Sequence, residues 1–167
     1  MTKARFSFFG TSLYLRPQEE TLRSQCLVKP VQWSIEEARK KPDHWQCLIM
    51  KRNYADYAWD SVGGNNNEGE FPHQTLEREV KEELGWKIIE RVEVCRQWRN
   101  GALEGFVYVC KPNEEKYLHD QPPRILCHEV AQVRYFDLME IINSSEFKTN
   151  IKGRIAALIK GESDFNL

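Results

Sequence analysis

No apolar stretch of this 167-residue sequence is long enough to span a bilayer, so no membrane partner is expected. Met1-Thr2-Lys3-Ala4-Arg5 is followed by only a short Phe-rich run, which is not the pattern of a signal peptide. A dominant charge sign is missing too: the formal net charge is −1, which gives no global attraction to nucleic acid. The five cysteines (Cys26, Cys47, Cys95, Cys110 and Cys127) are scattered and form no CxxC pair, and no His or Cys pair has zinc-ligand spacing. An odd number of thiols, mostly in apolar strand-like runs, reads as buried free cysteines in a reducing compartment, and a cytoplasmic location is expected. Internal repeats and low-complexity tracts are absent. What is present is 41% hydrophobic and 29% charged residues, enough to bury one core and ordinary for a single domain of residues 1–167.

The chain is organised around residues 63–86, GGNNNEGEFPHQTLEREVKEELGW. Residues three and four apart on a helix share a face, which puts Glu79, Glu82 and Glu83 on one side, within roughly 100° of arc. Leu76, Val80 and Leu84 form an i, i+4, i+8 stripe that would dock the helix on a core. A Glu-rich helix face is ordinarily solvated, with Lys81 and Arg78 supplying local ion pairs. Three crowded carboxylates repel one another, however, and a cation among them relieves this. The candidates are a hard divalent metal, which prefers oxygen ligands, and Arg78 itself.

The upstream spacing decides between these readings. Gly64, five residues, Glu70, seven residues and then Arg78-Glu79-Val80-Lys81-Glu82-Glu83-Leu84-Gly85-Trp86 resembles the Nudix box, G-x5-E-x7-R-E-U-x-E-E-x-G-U, where U is a bulky aliphatic residue. Only Trp86 departs from the pattern, and it stays apolar. The resemblance implies an α/β class protein, a Nudix-type α/β/α sandwich with a mixed β-sheet. It implies a Mg²⁺- or Mn²⁺-dependent hydrolase that cleaves the diphosphate bond of a nucleoside diphosphate linked to a moiety X, or of a (d)NTP, by metal-activated water. Glu82 and Glu83 are the primary metal ligands on this reading, with the carbonyl of Gly63 joining them. Glu79 is a ligand or the base. Arg78 orients the cluster by holding a Glu. Gly64, Glu70 and Gly85 are structural. A further acidic residue often comes from beyond the box, and Glu129 stands where it commonly occurs, with Asp120 and Glu104 as further candidates.

A nucleotide-type substrate needs aromatic platforms and phosphate contacts. Trp59, Trp98, Phe106 and Tyr108 are candidates for the first, Lys51, Arg52 and Arg96 for the second, whereas Arg39-Lys40-Lys41 reads as a solvated helix end. The secondary signatures of the ADP-ribose, coenzyme A and NADH subfamilies are not found. The expected partner is therefore a small nucleotide-type molecule without a more specific identity, and a homodimer is left open. Two other readings stay open. One is an enzyme like isopentenyl-diphosphate isomerase, which needs an acid–base Cys. The other is a non-catalytic ligand sensor, although such proteins usually lose box carboxylates.

Around the box, residues 1–22 read as an extension with short strands, broken by Gly10 and stopped by Pro17. Residues 23–33 read as an edge strand containing Pro30. Ser34 would cap a short helix ended by Pro42. Residues 44–52 form a buried central strand. Asn100-Gly101 marks a hairpin between strands at 87–98 and 102–110. A polar loop over 111–124 precedes a strand at 128–136. Asp137 would then cap a short helix, and a last helix over 147–160, with Ile151, Ile155, Leu158 and Ile159 as its stripe, ends at Gly161.

Overall fold

The computed structural model describes residues 7–53, 59–119 and 130–167. Strands β1 (Phe9–Leu13) and β2 (Leu15–Pro17) precede helices α1 (Glu20–Arg23), α2 (Gln25–Val28) and α3 (Val31–Lys40). A 3₁₀ turn at Pro42–His44 leads into β3 (Trp45–Arg52). Then come β4 (Trp59–Asp60), β5 (Val62–Asn65), α4 (Pro72–Leu84), β6 (Ile88–Arg99) and β7 (Ala102–Pro112). After a 3₁₀ turn at Glu115–Leu118, the chain finishes with β8 (Val130–Asp137), α5 (Leu138–Asn143), α6 (Thr149–Lys160) and β9 (Asp164–Asn166).

The strands form two sheets. The larger is mixed and runs β5-β1-β7-β6-β9. In it β1 is antiparallel to β5 and parallel to β7, and β6 is antiparallel to β7 and parallel to β9. The smaller is antiparallel, with β2, β4 and β8 all pairing with β3. β3 is the buried central strand that its apolar run predicts, and Cys47 to Met50 are fully buried. The single residue Tyr14 joins β1 of one sheet to β2 of the other, and its carbonyl accepts the Leu48 amide at 3.0 Å.

Side chains alternate across a strand, and β1 shows which helix covers which face. A Cβ on Gly10 would stand 3.0 Å from the Pro72 carbonyl oxygen, so α4 lies tight against that face. The next-door Phe9 faces the other way, where the Arg154 guanidinium of α6 sits 4.8 Å above its ring. Helices on both faces of a mixed sheet are the α/β architecture that the motif implies. α3 packs beside α6, with Arg39 Nε donating to the Leu158 carbonyl at 2.8 Å. No helix among the described residues is long and apolar enough to cross a membrane.

The helix ends follow their local chemistry. Pro72 opens α4 at its first turn, the Gln74 side chain accepts the Phe71 amide at 2.9 Å, and Gly85 closes the helix in the left-handed region at φ 72°. Leu76, Val80 and Leu84 are buried as their spacing requires. Asn100 and Gly101, with φ of 51° and 77°, make the tight turn between β6 and β7. Gly161 ends α6 at φ 71°.

Several expectations are corrected. Residues 23–33 are helical turns rather than an edge strand: Pro30, at φ −60° and ψ 155°, opens α3, and Val31, Ile35 and Ala38 supply a helical stripe. That start also places Ser34 inside the helix. Gly10 does not break a strand, because the close approach of α4 is what calls for glycine there. Asp137 flanks α5 without capping it; its Oδ1 accepts Gln46 Nε2 at 2.9 Å instead. β1 lies between β5 and β7, inside the main sheet, and β9 was not foreseen at all.

Candidate active site

The acidic face of α4 is held by two arginines. Arg78, at the middle of the helix, directs all of its donors at oxygen. Nε donates to Glu70 Oε2 at 2.9 Å and Nη2 to Glu70 Oε1 at 3.0 Å, a two-pronged fork. Nη1 reaches Glu79 Oε1 at 2.9 Å and Glu82 Oε2 at 3.3 Å, and Nη2 also meets the Asn65 carbonyl at 2.9 Å. Glu70 further accepts the Asn67 amide at 2.6 Å and the Thr75 hydroxyl at 3.2 Å. The Arg78 guanidinium, with help from these donors, holds the Glu70 carboxyl far below its ordinary range, at about 2.

Arg52, the last residue of β3, makes the second clamp. Its Nη1 donates to Glu83 Oε2 at 2.6 Å and its Nη2 to the Gly63 carbonyl at 2.6 Å. The Gly63 amide closes the ring by donating to Glu83 Oε1 at 3.2 Å. Glu83 follows Val80 by three residues and so falls on the docked side of the helix, 1% exposed. Burial pushes its carboxyl up to about 8, against the pull of the adjacent guanidinium.

Two glycines make room for this arrangement. A Cβ on Gly64 would lie 2.5 Å from the Glu79 carboxyl carbon, and one on Gly63, at φ 150°, would lie 2.1 Å from the Gly10 carbonyl oxygen. The Gly pair therefore lets β5 lie against both β1 and the Glu79 carboxylate.

Beside the clamps opens a cavity of ≈ 470 Å³, where Glu79, Arg52, Gly63 and Gly64 share the lining with Phe9, Asp60, Glu104, Asn150 and Arg154. Arg154 is a buried cation. Nε donates to Gln97 Oε1 at 3.0 Å, and Nη1 to Asp60 Oδ1 at 2.6 Å and Ser61 Oγ at 2.7 Å. Glu104 reaches the cavity through a β-bulge, where the pairing of β6 with β7 shifts between Gln97 and Trp98. Desolvation works against its charge, yet bonds from Gln97 and Arg99 outweigh it and lower its carboxyl.

The structure thus brings together Gly63, Gly64, Glu70, Arg78, Glu79, Glu82, Glu83 and Arg52, with Gly85 closing the helix that carries them. Glu129 and Asp120 lie outside the described residues. Among the described residues no three acidic, histidine or cysteine side chains converge closely enough to share an ion, and guanidinium groups stand among the carboxylates instead. The aromatic candidates are placed elsewhere. Trp59 packs edge-on to Phe136 at 4.8 Å beneath Lys51. Trp98 Nε1 donates to Asp164 of β9 at 2.8 Å. Tyr108 and Phe106 are register partners of Ser12 and Gly10, so they share the α4 face of the sheet, opposite Phe9 and the cavity. Arg96 lies over Phe106, 5.1 Å from the ring centre.

Sequence reasoning missed Phe9, Asp60, Ser61, Asn150 and Arg154. One signal was readable: Arg154 falls between Ile151 and Ile155, Leu158 at helical spacing, a cation inside an apolar stripe. Asn150 lies one turn before it on the same face. Nothing local marks Phe9 as the aromatic that faces the cavity.

Comparisons with known proteins agree with this fold. In a search of solved structures, the NUDIX domain of Shewanella oneidensis NrtR, complexed with ADP ribose, superposes with a TM-score of 0.62 at 13% identity, covering 95% of this chain and 89% of that one. An ADP-ribose pyrophosphatase from Streptococcus suis gives 0.56 at 12% identity, with 96% of each chain covered. A MutT NUDIX hydrolase from Burkholderia pseudomallei gives 0.52 at 20% identity, over 68% of this chain and 85% of that one. At these identities the likeness is one of fold. No curated protein matches in sequence. The profile of the NUDIX domain matches residues 35–158, from α3 through the acidic helix to the end of α6, and the chain belongs to the NUDIX family.

Proposed function

We propose that this protein is a divalent-metal-dependent hydrolase of the diphosphate bond in a nucleoside diphosphate linked to a moiety X, or in a (d)NTP. One observation carries the reading: the complete acidic face of α4 is held in place by two arginines at the edge of a polar cavity. Such a bond resists attack because its oxygens already carry negative charge, so the site must offset that charge, orient a water and accept its proton.

The donor set fits a hard cation. Glu79, Glu82, Glu83 and the Gly63 carbonyl are all oxygen donors, and the Glu83 carboxylate and Gly63 carbonyl already converge on a positive group, the Arg52 guanidinium. Mg²⁺ or Mn²⁺ bound to these oxygens would supply Lewis acidity and a nucleophilic water. The chain's own residues do the rest. Arg78 positions Glu79 and Glu82 while taking most of its own fixation from Glu70. In hydrolysis the water oxygen bonds to phosphorus, the bridging P–O bond breaks, and a carboxylate accepts the water's proton. Glu79 and Glu129 are the residues assigned to that last task. Arg154 and Asn150 line the same cavity and would meet the part of the substrate that is not cleaved. Buried free thiols at Cys26, Cys47, Cys95 and Cys110 suit a reducing cytoplasm.

The isomerase alternative needs a reactive cysteine beside the metal ligands. The four described cysteines are buried, none lines the cavity, and burial pushes each thiol up to about 12. The test is a panel of nucleotides, beginning with ADP-ribose because a neighbour of this fold binds it, incubated with Mg²⁺. A monophosphate product is expected, lost in Glu82→Gln. Tight binding without turnover would assign the protein to ligand sensing instead.

A further inference from the structure

Arg52 stands where the reading above places a metal. It contacts two of the oxygens assigned to the ion, Glu83 Oε2 and the Gly63 carbonyl, each at 2.6 Å. A divalent cation on those oxygens would compete with the guanidinium for the same lone-pair density. The two arginines of the site differ in how they are fixed. Arg78 uses every N–H it has, through Nε, both positions of Nη1 and both of Nη2. Arg52 uses only two donors among the described residues. It also ends its strand, and the pairing of β3 with β8 slips between Lys51 and Arg52, so the ladder is broken next to it. Its side chain is 14% exposed and borders the ≈ 470 Å³ cavity.

We propose that Arg52 is the resident counter-cation of the site. It holds Glu83 and the Gly63 carbonyl while these oxygens lack a metal, gives them up when they take a divalent cation, and then turns into the cavity as a donor to the phosphate oxygens of the substrate. This rests on the hydrolase reading. The exchange keeps the buried Glu83 carboxylate paired at every stage, which removes the cost of leaving it alone. It delivers a planar phosphate-binding fork to the cavity only once the site is loaded.

The experiment is Mn²⁺ titration by calorimetry on the full chain, comparing wild type with Arg52→Gln and with Lys51→Gln. Lys51→Gln removes a neighbouring positive charge without freeing Glu83. Arg52→Gln is expected to bind Mn²⁺ about tenfold more tightly than wild type, the scale of one charge-assisted hydrogen bond no longer competing. Lys51→Gln is expected to stay within about twofold, since the Lys51 ammonium lies over the Trp59 ring and not on the oxygens assigned to the ion. Equal or weaker binding by Arg52→Gln overturns the proposal and makes Arg52 a fixed support. Should that variant not fold, the wild type alone decides. The Arg52 Nε–H NMR signal, identified by ¹⁵N-arginine labelling and assignment, must shift when Mg²⁺ saturates the site, and an unmoved signal contradicts displacement. Mn²⁺ binding with Arg52 unmoved overturns this proposal and leaves the hydrolase standing. Displacement of Arg52 without turnover of any nucleotide supports this proposal and overturns the hydrolase.

Discussion

Two arginines grip the same acidic helix in opposite surroundings. Arg78 works on the half-exposed side, where Glu82 is 54% exposed, and shares its charge among Glu70, Glu79 and Glu82. Arg52 works on the buried side and serves one carboxylate, Glu83. The Arg78 network is saturated and holds the Glu70 carboxyl well below its ordinary range. The Arg52 pair is sparse, and burial there pushes the Glu83 carboxyl up against the pull of its guanidinium. One helix thus carries a rigid frame on its exposed side and an exchangeable pair on its buried side. The lesson is that identical chemistry, guanidinium on carboxylate, is structural or replaceable according to how many donors are committed and how much water is excluded.

Breaking the buried pair gives the largest effect. Arg52→Ala without metal should lower unfolding free energy by ~3–5 kcal/mol, the scale for removing one partner of a buried ion pair, measured by urea denaturation. Equal losses for Arg52→Ala and Arg78→Ala would erase the contrast. Glu82→Gln sharpens it from the other side. Because Glu82 is exposed, stability should stay within about 0.5 kcal/mol while kcat falls by about 10²-fold or more, as expected when an acidic ligand of a catalytic metal is lost.

A smaller effect is expected at Gly64. Gly64→Ala would put a methyl group 2.5 Å from the Glu79 carboxyl carbon and displace it. A kcat loss of about 10-fold with a near-native melting temperature should follow, since such displacement disturbs positioning more than packing. The smallest effect is a pH dependence. Glu70 is lowered from its ordinary 4.5 to about 2, so its contribution to stability is present above pH 4.5 and is lost as pH falls from there through about 2. Glu70→Gln should flatten that acid limb of a melting-temperature profile and leave the profile above pH 5 parallel to wild type.

Much of this was legible in the sequence for a physical reason: the box stretch is local. Its helix and the shared face of Glu79, Glu82 and Glu83 follow from spacing along one segment. The same is true of the Asn100-Gly101 hairpin and the apolar run of β3. What was not legible depends on contacts between distant segments. Phe9 faces the cavity, and Phe106 and Tyr108 do not, because of the register of β1 on β7. Glu104 reaches the cavity because of a bulge that no composition signals. The apolar residues of 23–33 fit a strand or a helix equally, and their docking beside β6, where the Val31 amide meets Glu90 at 2.6 Å, selects the helix. Arg52 was read as a candidate phosphate contact, and its seat on Glu83 and Gly63 could be seen only in three dimensions.

The central claim is that the acidic face held by these two clamps is built for breaking a diphosphate bond. The most direct measurement is ³¹P NMR of ADP-ribose, other nucleoside diphosphate derivatives and (d)NTPs incubated with the protein and Mg²⁺. Monophosphate resonances that appear with wild type, and that vanish both in Glu82→Gln and on chelation of the metal, are the predicted result. Product formed equally by Glu82→Gln, or no product from any of these compounds, would contradict it.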